Sequence, residues 1–177
     1  NKMANLGTAT IPVIPSTTIN IPRPGAKYSG SNDTTTGNTL TPGSGNFNQV
    51  NVGDTVYNTT GTDTIGIVTA LNYTGDNITT LTTDGITWAD TNTYEIYTSY
   101  TSSLVPPASS TRAVILQNQG NGKLGIYSAS AGAITGIDSE GNTFSYTAVA
   151  GATLPFFVAR VNTSAGATQL VAFINND

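Results

Sequence analysis

The chain has 177 residues and a formal net charge of −4. Only 9% of its residues are charged, against roughly a quarter in an average soluble domain. It has no histidine and no cysteine, which excludes a Ser-His-Asp triad, a Cys-His dyad, a disulfide and a zinc site of ordinary composition.

Threonine, asparagine, glycine and serine stand where charges normally would. Threonine favours strands, and asparagine and glycine favour turns. No segment sustains an apolar 3.6-residue period, and good helix formers are scarce. The fold class expected is therefore all-β, with antiparallel β-sandwich or barrel modules behind an extended N-terminal arm. The six basic residues, Lys2, Arg23, Lys27, Arg112, Lys123 and Arg160, are scattered singly, so no nucleic-acid partner is expected. No apolar run approaches the roughly 18 residues of a membrane span, and no signal-peptide core is visible. The expectation is a soluble chain without a membrane partner.

Residues 1–45 read as an arm. Ile11-Pro12, Ile14-Pro15, Ile21-Pro22 and Arg23-Pro24 each force the residue before proline into extended geometry. The segment carries apolar side chains without a pattern that closes into a core of its own. The reading is an arm laid along a neighbouring subunit, burying Ile11, Val13, Ile14, Ile19 and Ile21 there. A plain linker is the alternative.

Residues 46–104 read as a small antiparallel module. Strands are expected at Thr55–Asn58, Thr64–Leu71, Ile78–Thr83 and Thr93–Tyr100, separated by turns at Thr59–Thr62, Asn72–Asn77 and Asp84-Gly85. Trp88, Tyr94 and Tyr97 fall here. They read either as interior packing or as a glycan-stacking platform.

Residues 105–177 read as an antiparallel sandwich entered through the linker Val105–Ser110. Expected strands are Arg112–Gln117, Leu124–Ser128, Gly132–Ile137, Thr143–Val149, Leu154–Asn162 and Gln169–Asn175. In Thr143–Val149 the residues Phe144, Tyr146 and Ala148 alternate with Thr143, Ser145 and Thr147, the pattern of a half-buried strand. Pro155 belongs at a strand start or an edge.

The carboxylates offer little chemistry. Asp54, Asp63, Asp84, Asp90, Asp138 and Glu140 sit mostly in Gly- or Asn-flanked turns, where aspartate bonds its own backbone. Glu95 stands in a strand. A glycosidase pair is disfavoured, and Asp138–Asn142 lacks the ligand spacing of an EF-hand. No catalytic residue, metal site or cofactor is expected. The Asn-x-Ser/Thr triplets at Asn32, Asn58, Asn72, Asn77 and Asn162 follow from composition.

The C-terminal part resembles the small β-domain of bacteriophage spike-base and decoration proteins. Gly151, Leu154, Pro155, Arg160, Val161, Val171 and Ala172 match its G-x-x-LP-x-x-x-x-R-V core and final strand. The chain departs from it in ending Phe173-Ile174-Asn175 and in a more polar lead-in. Val52–Thr60 with Tyr94–Tyr97 is similar to a strand-rich module of phage structural proteins. The resemblance implies a non-enzymatic virion structural protein, assembled in the host bacterial cytoplasm. The foremost expectation is a capsid decoration or cement protein bound to the major capsid protein through its arm and loops. The expected state is a homo-oligomer, with a trimer as the guess. The alternatives are a tail, neck or spike-base adaptor and a carbohydrate- or receptor-binding module.

Overall fold

A computed structural model describes residues 6–33, 37–60, 63–99 and 124–175. They form antiparallel sheets that include a curled half-barrel, and no helix occurs among the described residues. The expected strand Arg112–Gln117, the linker before it and the Asn118–Lys123 turn lie outside the described residues. The chain divides into two compact units, one of residues 26–119 and one of residues 1–25 with 120–177. This division differs from the expected 1–45, 46–104 and 105–177.

The strands are β1 (Leu6–Pro12), β2 (Ala26–Ser31), β3 (Thr39–Leu40), β4 (Thr55–Asn58), β5 (Thr64–Thr74), β6 (Asn77–Asp84) and β7 (Thr93–Tyr97). They continue as β8 (Leu124–Ser128), β9 (Gly132–Asp138), β10 (Thr143–Ala148), β11 (Ala152–Thr153), β12 (Val158–Ala165) and β13 (Leu170–Asn175).

The central unit is one sheet in the order β2-β7-β4-β5-β6-β3. On its core face Val56, Val68, Ile78, Leu81 and Ile96 pack with Phe47 and Trp88. Phe47 is the hub, in edge-on contact with Tyr28 at 5.7 Å and Tyr94 at 5.8 Å between centroids. Such edge-to-face pairs add to the burial of aromatic area. Strand β5 runs on past the expected Leu71, because Tyr73 and Thr74 are strand formers that pair with Ile78 and Asn77. The turn shrinks to Gly75-Asp76, with Gly75 at a φ of +61° that suits glycine.

The other unit contains two sheets, β1-β13-β8-β11 and β10-β9-β12. The alternation expected for β10 is present, with Thr143, Ser145 and Thr147 exposed and Ala148 buried. The next strand departs from expectation. Ala152-Thr153 pairs with β8, the Leu154 N–H donates to Ile126 O at 2.9 Å, and the chain then changes sheets before β12 starts at Val158. Pro155 sits in that crossover, where its missing N–H leaves no ladder bond unmade.

The N-terminal arm on a neighbouring subunit is corrected. Ile11 pairs with Ala172 and Pro12 with Val171, making β1 the edge strand beside β13. Beyond it, the N–H groups of Val13, Ser16 and Ile21 donate to the carbonyls of Leu170, Val161 and Ala159, each at 2.9 Å. Ile11, Val13 and Ile21 are buried, while Ile14 and Ile19 are half-buried. The X-Pro pattern predicts extended geometry, and the segment is extended. Its backbone partners are the C-terminal strands of the same chain.

Candidate interaction surface

Trp88, Tyr94 and Tyr97, read either as interior packing or as a glycan-stacking platform, are interior. Trp88 is 2% exposed, Tyr94 4% and Tyr97 5%. The Trp88 indole N–H donates to Thr83 Oγ1 at 2.8 Å, and its ring meets Tyr94 edge-on at 6.4 Å. Without an open ring face these side chains offer no stacking platform, so the stacking alternative is corrected and the three residues pack in the interior.

Strand alternation sends Tyr57, Glu95 and Tyr97 to the sheet face opposite Phe47. Tyr57 lies directly across from Glu95, and the Tyr57 and Tyr97 rings are 5.0 Å apart. The Tyr97 hydroxyl donates a short hydrogen bond to Glu95 Oε2. Burial raises the Tyr57 phenol well above its ordinary value, with the neighbouring Tyr97 adding to it. Tyr97 is also raised, by burial first and then by its bond to Glu95. Glu95, the one carboxylate read as standing in a strand, is half-buried and acts as the acceptor for a buried phenol. The i, i+2 spacing of Glu95 and Tyr97 is the signal that places them on one face.

The other polar cluster centres on Asp54, which is fully buried. Lys27 Nζ lies 2.6 Å from Asp54 Oδ2 and also donates to Gln49 O at 3.1 Å. Asp54 Oδ2 further accepts the Asn51 N–H at 2.8 Å, and Oδ1 accepts the Ser99 N–H at 3.3 Å. This carboxylate ties β2 and the residues after β7 to the approach to β4. Asn51 Nδ2 beside it is a buried nitrogen without a hydrogen-bond partner. The turn role expected for Asp54 is present, but no sequence signal pairs it with Lys27, which is 27 residues away.

At Asp138–Asn142 the aspartate serves its own turn. Asp138 Oδ1 accepts the N–H groups of Asn142 at 2.8 Å and Glu140 at 2.9 Å. The Asn142 backbone bond, foremost, holds the Asp138 carboxyl below the usual carboxylate range. Among the described residues no cluster of carboxylates could hold a metal ion.

What the surface does present is hydroxyl and amide chemistry. On the β5–β6 ribbon Asn72 Nδ2 donates to Thr80 Oγ1 at 3.1 Å, and the Thr74 and Thr79 hydroxyls lie 3.3 Å apart. The hydroxyls of Thr59 and Thr93 are 2.8 Å apart, and those of Thr135 and Thr163 are 2.7 Å apart. These bonds cross between neighbouring strands and hold the exposed side chains in place.

Comparison of the chain with protein-family models, with curated proteins and with solved structures finds no match. No helix among the described residues is long and apolar enough to cross a membrane.

Proposed function

We propose that this chain is a non-enzymatic structural protein of a bacteriophage virion, and within that class a capsid decoration protein. In this role it binds the outer face of the shell, with the major capsid protein as its partner, and reinforces the lattice. The observation that carries the reading is the ordered, sparsely charged surface of its sheets. Hydroxyls and amides bonded across strands, as at Asn72–Thr80 and Thr135–Thr163, present a preorganised layer of donors and acceptors. A partner binding such a layer loses little side-chain entropy, and contacts without ion pairs are little screened by salt. Repetition over a symmetric shell multiplies a modest contact through avidity.

Residues 6–25 are committed to the chain's own C-terminal strands, so attachment falls to sheet faces and loops. The resemblance at Gly151, Leu154, Pro155, Arg160, Val161, Val171 and Ala172 supports the virion class. It also favours a second reading, a tail, neck or spike-base adaptor. Of these residues Leu154, Val161 and Ala172 are buried, so they speak to the kind of module and not to its partner.

The test is particle stability. Shells produced without this protein should release their genome at a lower temperature, and adding back the purified protein should restore the wild-type value at both low and high salt. Particles of unchanged stability that fail to take up the purified protein would contradict the decoration role.

A further inference from the structure

Sheet edges are where a β-protein either exposes or defends its backbone. Edge strand β1 carries Pro12 and a register shift. Edge strand β2 carries Lys27 and a shift between Ala26 and Tyr28. Strands β3 and β11 have only 2 residues each. Strand β12 has two register shifts, and its outer side receives the Ser16 and Ile21 N–H groups. Among the described residues, strand β10 has none of these devices. It spans 6 residues, Thr-Phe-Ser-Tyr-Thr-Ala, without charge or proline, and it pairs with β9 in unbroken register from Thr143↔Ile137 to Ala148↔Gly132.

The register shows which backbone groups face outward. Asp138 N–H donates to Asn142 O at 2.9 Å, so Asn142 and Asp138 are a hydrogen-bonded pair. Alternation then makes Phe144, Tyr146 and Ala148 the hydrogen-bonded partners of β9. The N–H and C=O groups of Thr143, Ser145 and Thr147 point away from it. Their side chains are exposed. Phe144 and Tyr146 lean on Phe156, at 4.9 and 5.6 Å between centroids, and all three rings are only half-buried. Val149, just past the strand, is 61% exposed.

We propose that β10 is a self-association edge that pairs antiparallel with β10 of a second copy of this chain about a twofold axis. The outward groups fix the register. Ser145 meets Ser145 on the axis and Thr143 meets Thr147, so every hydrogen-bonded pair uses groups that β9 leaves unused. Phe144 then sits across from Tyr146 of the second copy in a non-hydrogen-bonded pair, where side chains approach most closely. The half-exposed aromatics of each copy are covered by those of the other. Charge permits this register: Glu140 lies beside Ala150 of the second copy, and no two carboxylates are opposed. The interface is isologous and joins two three-stranded sheets into one. This inference does not rest on the virion reading, because it concerns the purified chain alone.

Sedimentation of the full chain from micromolar to millimolar concentration tests it, with Ser145→Pro and Ser145→Lys as variants. Proline at 145 removes an N–H that points away from β9, so the β9 ladder stays intact. The expected result is a concentration-dependent dimer for the parent chain and a monomer for both variants, with unchanged circular dichroism. The chain has no cysteine, so Ser145→Cys gives a clean cross-link. Opposed Cα atoms in a hydrogen-bonded pair are about 5.5 Å apart, within disulfide reach. Mild oxidation should convert Ser145→Cys to a covalent dimer far faster than an exposed control, Thr163→Cys. A parent chain that stays monomeric to millimolar concentration would overturn the proposal, as would a dimer that persists in both Ser145→Pro and Ser145→Lys.

Discussion

Asp54 shows how much one buried carboxylate can hold in a chain with so few charges. It accepts from Lys27, Asn51 and Ser99, which brings three separate stretches of the central unit to one point. Removing one partner of a buried pair strands the other, so Asp54→Asn is expected to cost about 3 kcal/mol or more, read by urea unfolding. Replacing both partners, Lys27→Met with Asp54→Leu, should recover a large part of that loss. Tyr57 and Tyr97 have raised folded-state values, so their contribution to stability is complete below the ordinary phenol value of 10.0. It is lost as the pH rises from there towards the folded-state values. The tyrosinate absorbance of Tyr57 and Tyr97 should therefore appear together with loss of circular dichroism at high pH. In Tyr97→Phe the fold should survive to higher pH. Ionisation of all tyrosines with the fold intact would contradict this burial.

At the scale of elements, close approach between strands matters more than propensity. A Cβ on Gly136 would lie 2.1 Å from Arg160 O and 2.8 Å from the Phe144 ring, so both neighbours of β9 would have to move. Gly136→Ala is expected to destabilise by about 1–3 kcal/mol, the usual range for overpacking, measured by thermal melting. Thr91 has a φ of +64°, and a β-branched residue there carries strain on the order of 1–3 kcal/mol. Thr91→Gly should relieve part of it. Strands β4 and β8 were legible to the residue, because alternating β-formers end there at unambiguous turn residues. Period-2 alternation names a strand and its buried face but not its neighbour. Strands β10 and β12 flank β9, while β13 belongs to the other sheet, and nothing in their residues states that division. The isoleucines of the N-terminal stretch were legible as needing cover. The carbonyls of Ala159, Val161 and Leu170 that hold this stretch lie more than a hundred residues away and leave no local sign. Among the candidate site residues, the tyrosine hydroxyls hid their role because an i, i+2 pair reads alike on a wet or a covered face.

At the scale of the whole molecule, the chain's beginning and its end form one unit, and residues 26–119 are a unit inserted between them. Deleting residues 1–25 therefore removes the edge strand beside β13 and the buried Ile11, Val13 and Ile21. The expected outcome is loss of the cooperative unfolding transition of the unit containing residues 124–175, seen by hydrogen exchange. The transition of the central unit should remain. Full protection of β13 after the deletion would contradict the placement of β1. An unpaired β13 edge would also expose apolar strand surface, so the truncated chain should aggregate more readily than the parent.

The proposed decoration role requires the chain to be a component of particles that acts through repeated surface contacts. Its copy number per virion, measured by quantitative mass spectrometry against the major capsid protein, tests this most directly. The expected ratio is near one per capsid subunit, or a simple fraction of it. A few to a few dozen copies would move the protein to a vertex, neck or tail and favour the adaptor reading. Absence from purified particles would contradict the virion role altogether.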